Sequence, residues 1–202
     1  MKISIYDFDK TMYNGDSFID FWLYYVKKNI VKLIYLPILI IKFILWKAKI
    51  LTTQSFKQNM INIFNSNDVN SYVTSFWSKK KHKISPWVDN FLSNDKKNNY
   101  ESLVISASPI FLLEPVLLEI GIKRNNIICT NTIINKNRLK ITGKNCKGKE
   151  KVQRLLQWQE KNGFQEIEVT KMVSDSKVDM PLYELAEEKY RVVNGNIEEG
   201  MP

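Results

Sequence analysis

The sequence predicts an α/β protein, in which a mostly parallel sheet carries helices on both faces and a helical segment is inserted after the first strand. From residue 100 onward, β-branched apolar runs alternate with segments of helical periodicity, a pattern typical of such sheets. Residues 17–78 instead show helical periodicity without strand-turn punctuation. The 202 residues, 44% hydrophobic and 25% charged, suffice for one core with an inserted subdomain and exclude a disordered chain.

The first predicted strand, Ile3-Ser4-Ile5-Tyr6, ends in two carboxylates and a hydroxyl, in the run Asp7-Phe8-Asp9-Lys10-Thr11. Burying an unpaired carboxylate is costly, so buried acids are normally paired or bound to a metal. Mg2+ is a natural partner, because it takes oxygen ligands and uses one or two carboxylates beside phosphate and water. The run alone fits a solvated turn equally well, since aspartate is a common turn former.

The segment after this strand is predicted to form a separate helical unit over residues 17–84, beside an α/β core made of residues 1–16 and 85–202. Its helices are expected at residues 18–28, 30–51, 55–64 and 69–79.

Residues 30–51, IVKLIYLPILIIKFILWKAKIL, are almost all apolar, and no acidic residue occurs from Phe21 through Asn67. A spanning helix needs about 20 apolar residues, but Pro37 and Lys42 interrupt the run, and a lysine near the bilayer centre costs at least about 3 kcal/mol. On a helical wheel, one side collects four lysines: Lys28, Lys32, Lys42 and Lys49. That arrangement favours an interfacial helix over a span. A helix buried against its neighbours is the alternative.

The rest of the chain supplies the remaining elements of the predicted sheet. Strands are expected at residues 100–105, 127–130, 132–134, 139–142, 167–173 and 190–193. Helices are expected at residues 109–120, from 152 to at least 158, and at 181–188. The tail, residues 194–202, is polar and carries no motif.

Three later segments bring further polar groups to strand ends or helix starts. Ser106 ends the strand at 100–105, a basic loop over residues 143–151 leads into a helix, and Asp175 and Asp179 follow the strand at 167–173. Open α/β sheets bind ligands at the carboxyl ends of their strands. Four separate segments are therefore expected to converge on one small anion.

Together these segments resemble the haloacid dehalogenase superfamily of phosphatases. The run from Asp7 to Thr11 looks like its DxDxT motif, Ser106 like its hydroxyl motif, and Asp175-Ser176-Lys177-Val178-Asp179 like its DSxxD motif. The resemblance is closest to the phosphoserine-phosphatase-like branch, which also contains phosphatidylglycerophosphate phosphatases. It implies a Rossmann-like core with residues 17–84 as the cap, which would exclude water and select the leaving group. Lys10 replaces a common glycine, which affects the freedom of the turn.

The resemblance also implies roles for the site residues. Asp7 would be the nucleophile and Asp9 the general acid and base, while Asp7, the main-chain carbonyl of Asp9 and Asp175 would hold Mg2+. Ser106 and a lysine would bind the phosphoryl group. Lys151 is chosen because it opens the following helix, with Lys149 as runner-up and Lys147 also open. Supporting positions are assigned to Asp179, Thr11 and Lys149.

The implied function is Mg2+-dependent hydrolysis of a phosphomonoester through an aspartyl-phosphate, on a lipid headgroup or an anionic small molecule. The alternatives are a phosphotransferase or mutase with the same nucleophile, a phosphoserine phosphatase, and a non-catalytic membrane-associated scaffold. The retained Asp9 favours phosphate chemistry over dehalogenation, which has no alkoxide to protonate.

Composition bounds the partners and the compartment. The net charge of +9 is compatible with acidic substrates or a membrane surface, whereas no nucleic-acid-binding motif is present and no nucleic acid is expected. The start Met1-Lys2-Ile3 runs into the acidic motif without an apolar leader. We therefore expect a cytoplasmic protein with free thiols at Cys129 and Cys146, associated with the inner face of the membrane if residues 30–51 bind there.

Overall fold

The computed structural model describes all 202 residues and confirms the predicted α/β class. The strands are β1 (Lys2–Tyr6), β2 (Glu101–Pro109), β3 (Ile127–Thr130), β4 (Thr132–Asn135), β5 (Arg138–Ile141), β6 (Glu168–Ser174), β7 (Ala186–Val193) and β8 (Asn196–Glu199). The helices are α1 (Ser17–Lys28), α2 (Leu36–Lys47), α3 (Thr53–Ile61), α4 (Val69–Lys80), α5 (Trp87–Lys97), α6 (Ile110–Glu119), α7 (Lys149–Lys161) and α8 (Met180–Tyr183).

One six-stranded sheet, in the order β3-β2-β1-β6-β7-β8, forms the centre of the molecule. The first five of these strands are parallel and β8 is antiparallel, while β4 and β5 pair separately as a hairpin. Ile3 and Ile5 of β1 pack in one apolar cluster with α7 and α8, and Tyr6 packs in another with α5 and α6. Because both faces of β1 are covered, the strand reads as an almost continuous apolar run.

A buried polar cluster lies under the sheet around Asp95 of α5, whose exposure is 0%. Its carboxylate accepts hydrogen bonds from the hydroxyls of Ser4 (2.9 Å), Tyr6 (2.6 Å) and Ser102 (2.7 Å). Lys171 of β6 forms an ion pair with it at 2.9 Å. The cluster connects three adjacent strands, β1, β2 and β6, to one helix.

Of the five α-helices between β1 and β2, α1 to α4 lie within the segment predicted as a cap; the boundaries at 17 and 84 stay a prediction. Asp16 caps α1 by accepting the amide of Ile19 at 3.0 Å, and Thr52 caps α3 through the amide of Ser55 at 3.1 Å. No single helix has the length and apolar composition to cross a bilayer; only α1 and residues 30–47, bent by 118°, do so as a pair.

The prediction of one helix over residues 30–51 is wrong. Residues Ile30–Tyr35 form a 3-10 helix, and the α-helix begins at Leu36 and ends at Lys47. The break lies beside Pro37, which has no amide hydrogen and therefore fits only the first turn of a helix. The wheel with Lys42 on an outer basic face is wrong as well, because Lys42 is turned inward and donates a hydrogen bond to Asn59 of α3.

Two predictions near the C-terminus also need correction. The helix predicted at 181–188 ends at Tyr183, and β7 already begins at Ala186. The tail is not featureless: β7 and β8 form a hairpin whose two-residue loop is Asn194-Gly195, with φ of 52° and 82°. This dipeptide favours such turns because both positions need positive φ. Helix α5, Trp87–Lys97, was not among the predicted elements.

Candidate active site

The predicted site residues meet at the carboxyl edge of the sheet. Asp7 directly follows β1, Ser106 lies near the end of β2, and Asp175 directly follows β6. They line one cavity of about 290 Å³. Its wall also includes Asp9, Lys151 and Asp179. The parallel sheet is the reason for the convergence, since it brings the ends of neighbouring strands to the same side.

Lys151 is the centre of the buried charge network. Its ammonium lies 2.6 Å from Asp7 Oδ1 and 2.8 Å from Asp179 Oδ2, and only 2% of the residue is exposed. Gly148 precedes α7 with φ 58° and ψ −130°, a conformation open mainly to glycine, and this turn sets the start of the helix that carries Lys151. Burial lowers the pKa of Lys151, but the charges of Asp7 and Asp179 outweigh it and raise the pKa above its usual value.

The two carboxylate oxygens of Asp7 have different partners. Lys151 holds Oδ1, while Oδ2 has only the hydroxyl of Thr11 at 3.4 Å. Burial raises the pKa of Asp7 above its usual range, the charge of Lys151 works against this, and the charge of Asp179 adds to it. The nearby ammonium favours the carboxylate form, and Oδ2 is the oxygen of Asp7 that has no charged partner within the chain.

Both oxygens of Asp9 accept hydrogen bonds from within the chain. The amide of Ser17, at the start of α1, donates to Oδ1 at 2.7 Å, and the hydroxyl of Ser108 donates to Oδ2 at 2.5 Å. Burial, and then the charge of Asp16, raise the pKa of Asp9, and the two serines oppose the rise. A raised pKa is suitable for a group that gives and takes a proton.

Ser106 is 1% exposed, and its hydroxyl oxygen accepts the amide of Ser108 at 3.1 Å. That hydroxyl has no acceptor within the chain, so its proton is available to a ligand in the cavity. Thr11 joins the first and last motifs: its hydroxyl accepts the amide of Asp175 at 3.0 Å and lies 3.4 Å from the side chains of Asp7 and Asp175.

Oxygen donors of the kind that divalent cations prefer line the cavity at Asp7, Asp9 and Asp175, but no three acidic, histidine or cysteine side chains are grouped so that they could hold a metal ion by themselves. Asp7, Asp9, Asp175 and Asp179 lie around one cavity, and Lys151 is the only lysine or arginine that forms an ion pair with any of them. Burial raises the pKa of Asp175, although the charge of Lys10 opposes it. Lys151 pairs directly with Asp7 and Asp179, whereas Asp9 and Asp175 have no ion-pair partner, and a metal with oxygen ligands would offset their charge.

The three lysines left open by the sequence lie in different places. Lys151 contacts Asp7, Lys147 lines the cavity from an exposed loop position, and Lys149 is exposed at the start of α7 and does not line the cavity. Lys149 therefore makes no contact that would place it in the predicted supporting role. The roles of the other predicted residues stay predictions.

Sequence reasoning missed Lys57 of α3, a half-buried cation in the cavity wall. Its ammonium donates to the carbonyl of Ala107 at 2.7 Å and to Asn145 Oδ1 at 2.9 Å, with no carboxylate in ion-pair distance. Burial lowers its pKa to about 8, while the charges of Asp9 and Asp16 oppose the shift. The available signal was a lone lysine between Phe56 and Met60 in a segment without acids.

The side of the cavity formed by the inserted helices is largely apolar. Trp46 of α2 stacks on Phe56 of α3 with ring centroids 5.2 Å apart, and both rings line the cavity with Phe18 and Met60. The indole of Trp46 donates to the hydroxyl of Thr53 at 3.1 Å. The cavity thus has a charged floor at the sheet edge and an apolar, lysine-bearing roof.

A family model described as haloacid dehalogenase-like hydrolase matches residues 5–184. No curated protein matches the chain in sequence.

Several solved structures share the fold. A protein with unknown function from Bordetella pertussis Tohama I aligns with a TM-score of 0.74 and 16% identity over 93% of this chain and 88% of that chain. A phosphoserine phosphohydrolase-like protein from Francisella tularensis subsp. tularensis SCHU S4 aligns with a TM-score of 0.62 and 20% identity, over 94% of this chain and 86% of that chain. A substrate-bound phosphoserine phosphatase complex aligns with a TM-score of 0.62 and 16% identity, over 94% of this chain and 85% of that chain.

Proposed function

Since this chain belongs to the haloacid dehalogenase-like hydrolases, we propose that it is a Mg2+-dependent phosphatase that hydrolyses a phosphomonoester through an aspartyl-phosphate on Asp7. The observation that carries the proposal is the geometry around Asp7. One of its oxygens is held by Lys151 at 2.6 Å and the other faces the cavity that Asp9 and Ser106 also line. A scaffold protein would have no need of an unpaired carboxylate oxygen in a cavity that a second acid and a buried hydroxyl also line.

In the first step, Asp7 Oδ2 attacks phosphorus and the bond from phosphorus to the ester oxygen breaks. Lys151 keeps Asp7 ionised and oriented, and it offsets charge on the phosphoryl oxygens. The hydroxyl of Ser106 donates a hydrogen bond to one of those oxygens. Protonated Asp9 gives its proton to the leaving alkoxide, so the product alcohol departs neutral.

In the second step, water attacks the phosphorus of the aspartyl-phosphate, and the bond from phosphorus to Asp7 Oδ2 breaks. Asp9, now ionised, takes a proton from that water. Inorganic phosphate leaves, and Asp7 and Asp9 return to their starting states. The hydrogen bonds from Ser17 and Ser108 hold Asp9 in one orientation for both proton transfers.

Asp7, Asp175 and the main-chain carbonyl of Asp9 would hold Mg2+, which when bound neutralises charge between an anionic nucleophile and an anionic substrate. Asp179 would keep Lys151 in place, since it is fixed in turn by Ser174 at 2.8 Å.

The lysines that line the cavity favour an anionic substrate. Lys10, Lys57 and Lys147 line the wall, and of these Lys57 is half-buried with only neutral hydrogen-bond partners. A second anionic group on the substrate, from a lipid headgroup or a small-molecule phosphate, would complete its pairing.

Phosphoserine is the second candidate, because Asp16 also lines the cavity and offers a carboxylate to the ammonium of such a substrate. Of the other acids in this region, Asp20 is already engaged by Lys83 and Tyr13, both at 2.7 Å. Asp16 is therefore the residue on which the phosphoserine candidate depends.

The test is phosphate release with Mg2+ from a phosphorylated lipid in mixed micelles, from phosphoserine and from an aryl phosphate. Asp7→Asn should lower the rate by on the order of a thousandfold or more, while Asp89→Asn, at an exposed position of α5, should not. Transfer to an added alcohol in preference to water would instead indicate a phosphotransferase. Wild-type rates equal to those of Asp7→Asn on every substrate would overturn the proposal.

A further inference from the structure

The segment from Ile30 to Ile50 carries an exposed apolar surface. Twelve of the 23 exposed large apolar side chains of the chain lie within these 21 residues. Val31 is 84% exposed, Ile34 74% and Ile41 58%. Monomeric proteins rarely expose contiguous apolar surface on this scale without a binding partner. We call this segment the docking surface.

The orientation of α2 turns Lys42 away from the docking surface. Leu39, Lys42 and Trp46 recur at intervals of three and four residues and face inward, with Leu39 buried, Lys42 bound to Asn59 and Trp46 in the cavity wall. The outward residues of α2 before Lys47 are therefore all apolar. Ile38, Ile41 and Ile44 continue this outward row at helical spacing.

Exposed lysines stand at both ends of the docking surface. Lys27 and Lys28 end α1, Lys47 ends α2, and Lys49 follows two residues later. No acidic residue occurs from Phe21 through Asn67. A second copy of the chain packed here would bring lysines against lysines, whereas an anionic bilayer offers an apolar interior and negative headgroups together.

We propose that the docking surface binds an anionic lipid bilayer, with the outward row of α2 in the acyl boundary and the flanking lysines at the headgroups. Trp46 connects this surface to the cavity, because it lies on the opposite side of the same helix and lines the cavity wall. Docking would therefore hold the cavity close to the membrane surface. That a lipid phosphate then becomes the substrate is a consequence that rests on the proposed phosphatase.

Vesicle flotation tests the docking itself and does not depend on catalysis. The full chain should float with vesicles of equal parts phosphatidylcholine and phosphatidylglycerol, and far less with pure phosphatidylcholine. Ile41→Glu should weaken binding by about tenfold or more, because it places a charge in the acyl boundary. Leu156→Glu, at a 49% exposed apolar position of α7, is the matched control and should bind as the wild type does.

Charge neutralisation and labelling provide two further tests of the docking surface. Each of Lys47→Gln and Lys49→Gln should weaken binding by about fivefold, and higher salt should weaken it further. An environment-sensitive dye on Ile38→Cys should shift to an apolar signal on anionic vesicles, while the same dye on Leu156→Cys should not. The two native cysteines are buried and free, so the added thiol is the accessible one.

Three outcomes would overturn the proposal: no flotation with anionic vesicles, equal flotation of wild type and Ile41→Glu, or a stable dimer that Ile41→Glu dissociates. Asp7→Asn should float like the wild type. Flotation without phosphate release would uphold the docking surface and contradict only the phosphatase, so the two failures are distinguishable.

Discussion

Lys10 occupies a backbone conformation that suits glycine, with φ of 58° between Asp9 and Thr11. The turn is closed by a hydrogen bond from the amide of Lys10 to the carbonyl of Gly15 at 2.8 Å. Left-handed conformations cost an L-residue roughly 1 kcal/mol. We expect Lys10→Gly to raise the free energy of unfolding by roughly 0.5–1 kcal/mol, measured by urea denaturation, because the strain is removed. Unchanged or lower stability would show that the ammonium of Lys10 contributes more than the strain costs.

Lys57 is the residue that most directly tests how substrate is recognised. Lys57→Met should raise KM for an anionic phosphomonoester by about tenfold or more, with a smaller change in kcat, because the reacting atoms lie on Asp7 and Asp9. Lys57→Arg keeps the charge and should retain more of the wild-type affinity. Equal KM values for wild type and Lys57→Met would remove Lys57 from substrate binding.

The same lysine predicts a pH dependence. Its pKa is lowered to about 8 by burial, so the ammonium is present below that pH and is lost above it. KM for an anionic substrate should therefore rise as the pH increases through about 8. In Lys57→Arg this rise should be absent, because a guanidinium stays charged. A rise that persists in the arginine variant would assign the titration to another group.

At the scale of helices, the N-terminal capping residue of α3, Thr52, fixes the start of the helix that carries Lys57. The hydroxyl of Thr52 accepts the amide of Ser55 at 3.1 Å. Thr52→Ala should lower the free energy of unfolding by about 1 kcal/mol, read from thermal or urea unfolding. Thr74→Ala, at an exposed position inside α4, should change it by much less. Equal effects of the two substitutions would contradict a capping role.

The inserted helices also show where sequence periodicity stops being informative. An apolar run such as residues 30–51 has no polar stripe, so its periodicity does not reveal which side packs. Pro37 is a local signal for a helix start, and the structure places that start at Leu36. The inward rotation of Lys42 depends on Asn59 in the next helix, and such a contact between helices has no signature in the sequence of either one.

For the whole molecule, the parallel part of the sheet was predictable because its strands carry their own signals, whereas β8 (Asn196–Glu199) was missed. Asp7, Ser106 and Asp175 follow apolar runs, and the parallel order of the strands places them together, as expected. Lys57 was not predictable, since it reaches the cavity only through the packing of α3 over the loops that contain Ala107 and Asn145. The positions of the strand-end residues thus followed from local sequence patterns, whereas the residues that the inserted helices bring to the cavity did not.

The core beneath the site is expected to be sensitive to the loss of one charge. Lys171 is 4% exposed and forms an ion pair with the fully buried Asp95. Lys171→Met would leave that carboxylate without a cation, and we expect a loss of about 3–5 kcal/mol of unfolding free energy. Lys2→Met, which breaks the exposed pair with Glu168, should cost at most about 1 kcal/mol. Similar losses in both variants would contradict the importance of burial.

The cluster around Asp95 has a consequence for how chains of this kind can diverge. Either charge removed alone leaves the other buried, whereas replacing Asp95 and Lys171 together with apolar residues of similar volume removes both costs at once. Ser4, Tyr6 and Ser102 would then lose their acceptor as well. Among related chains we therefore expect these two positions to co-vary, with the acid and the lysine present or absent as a pair.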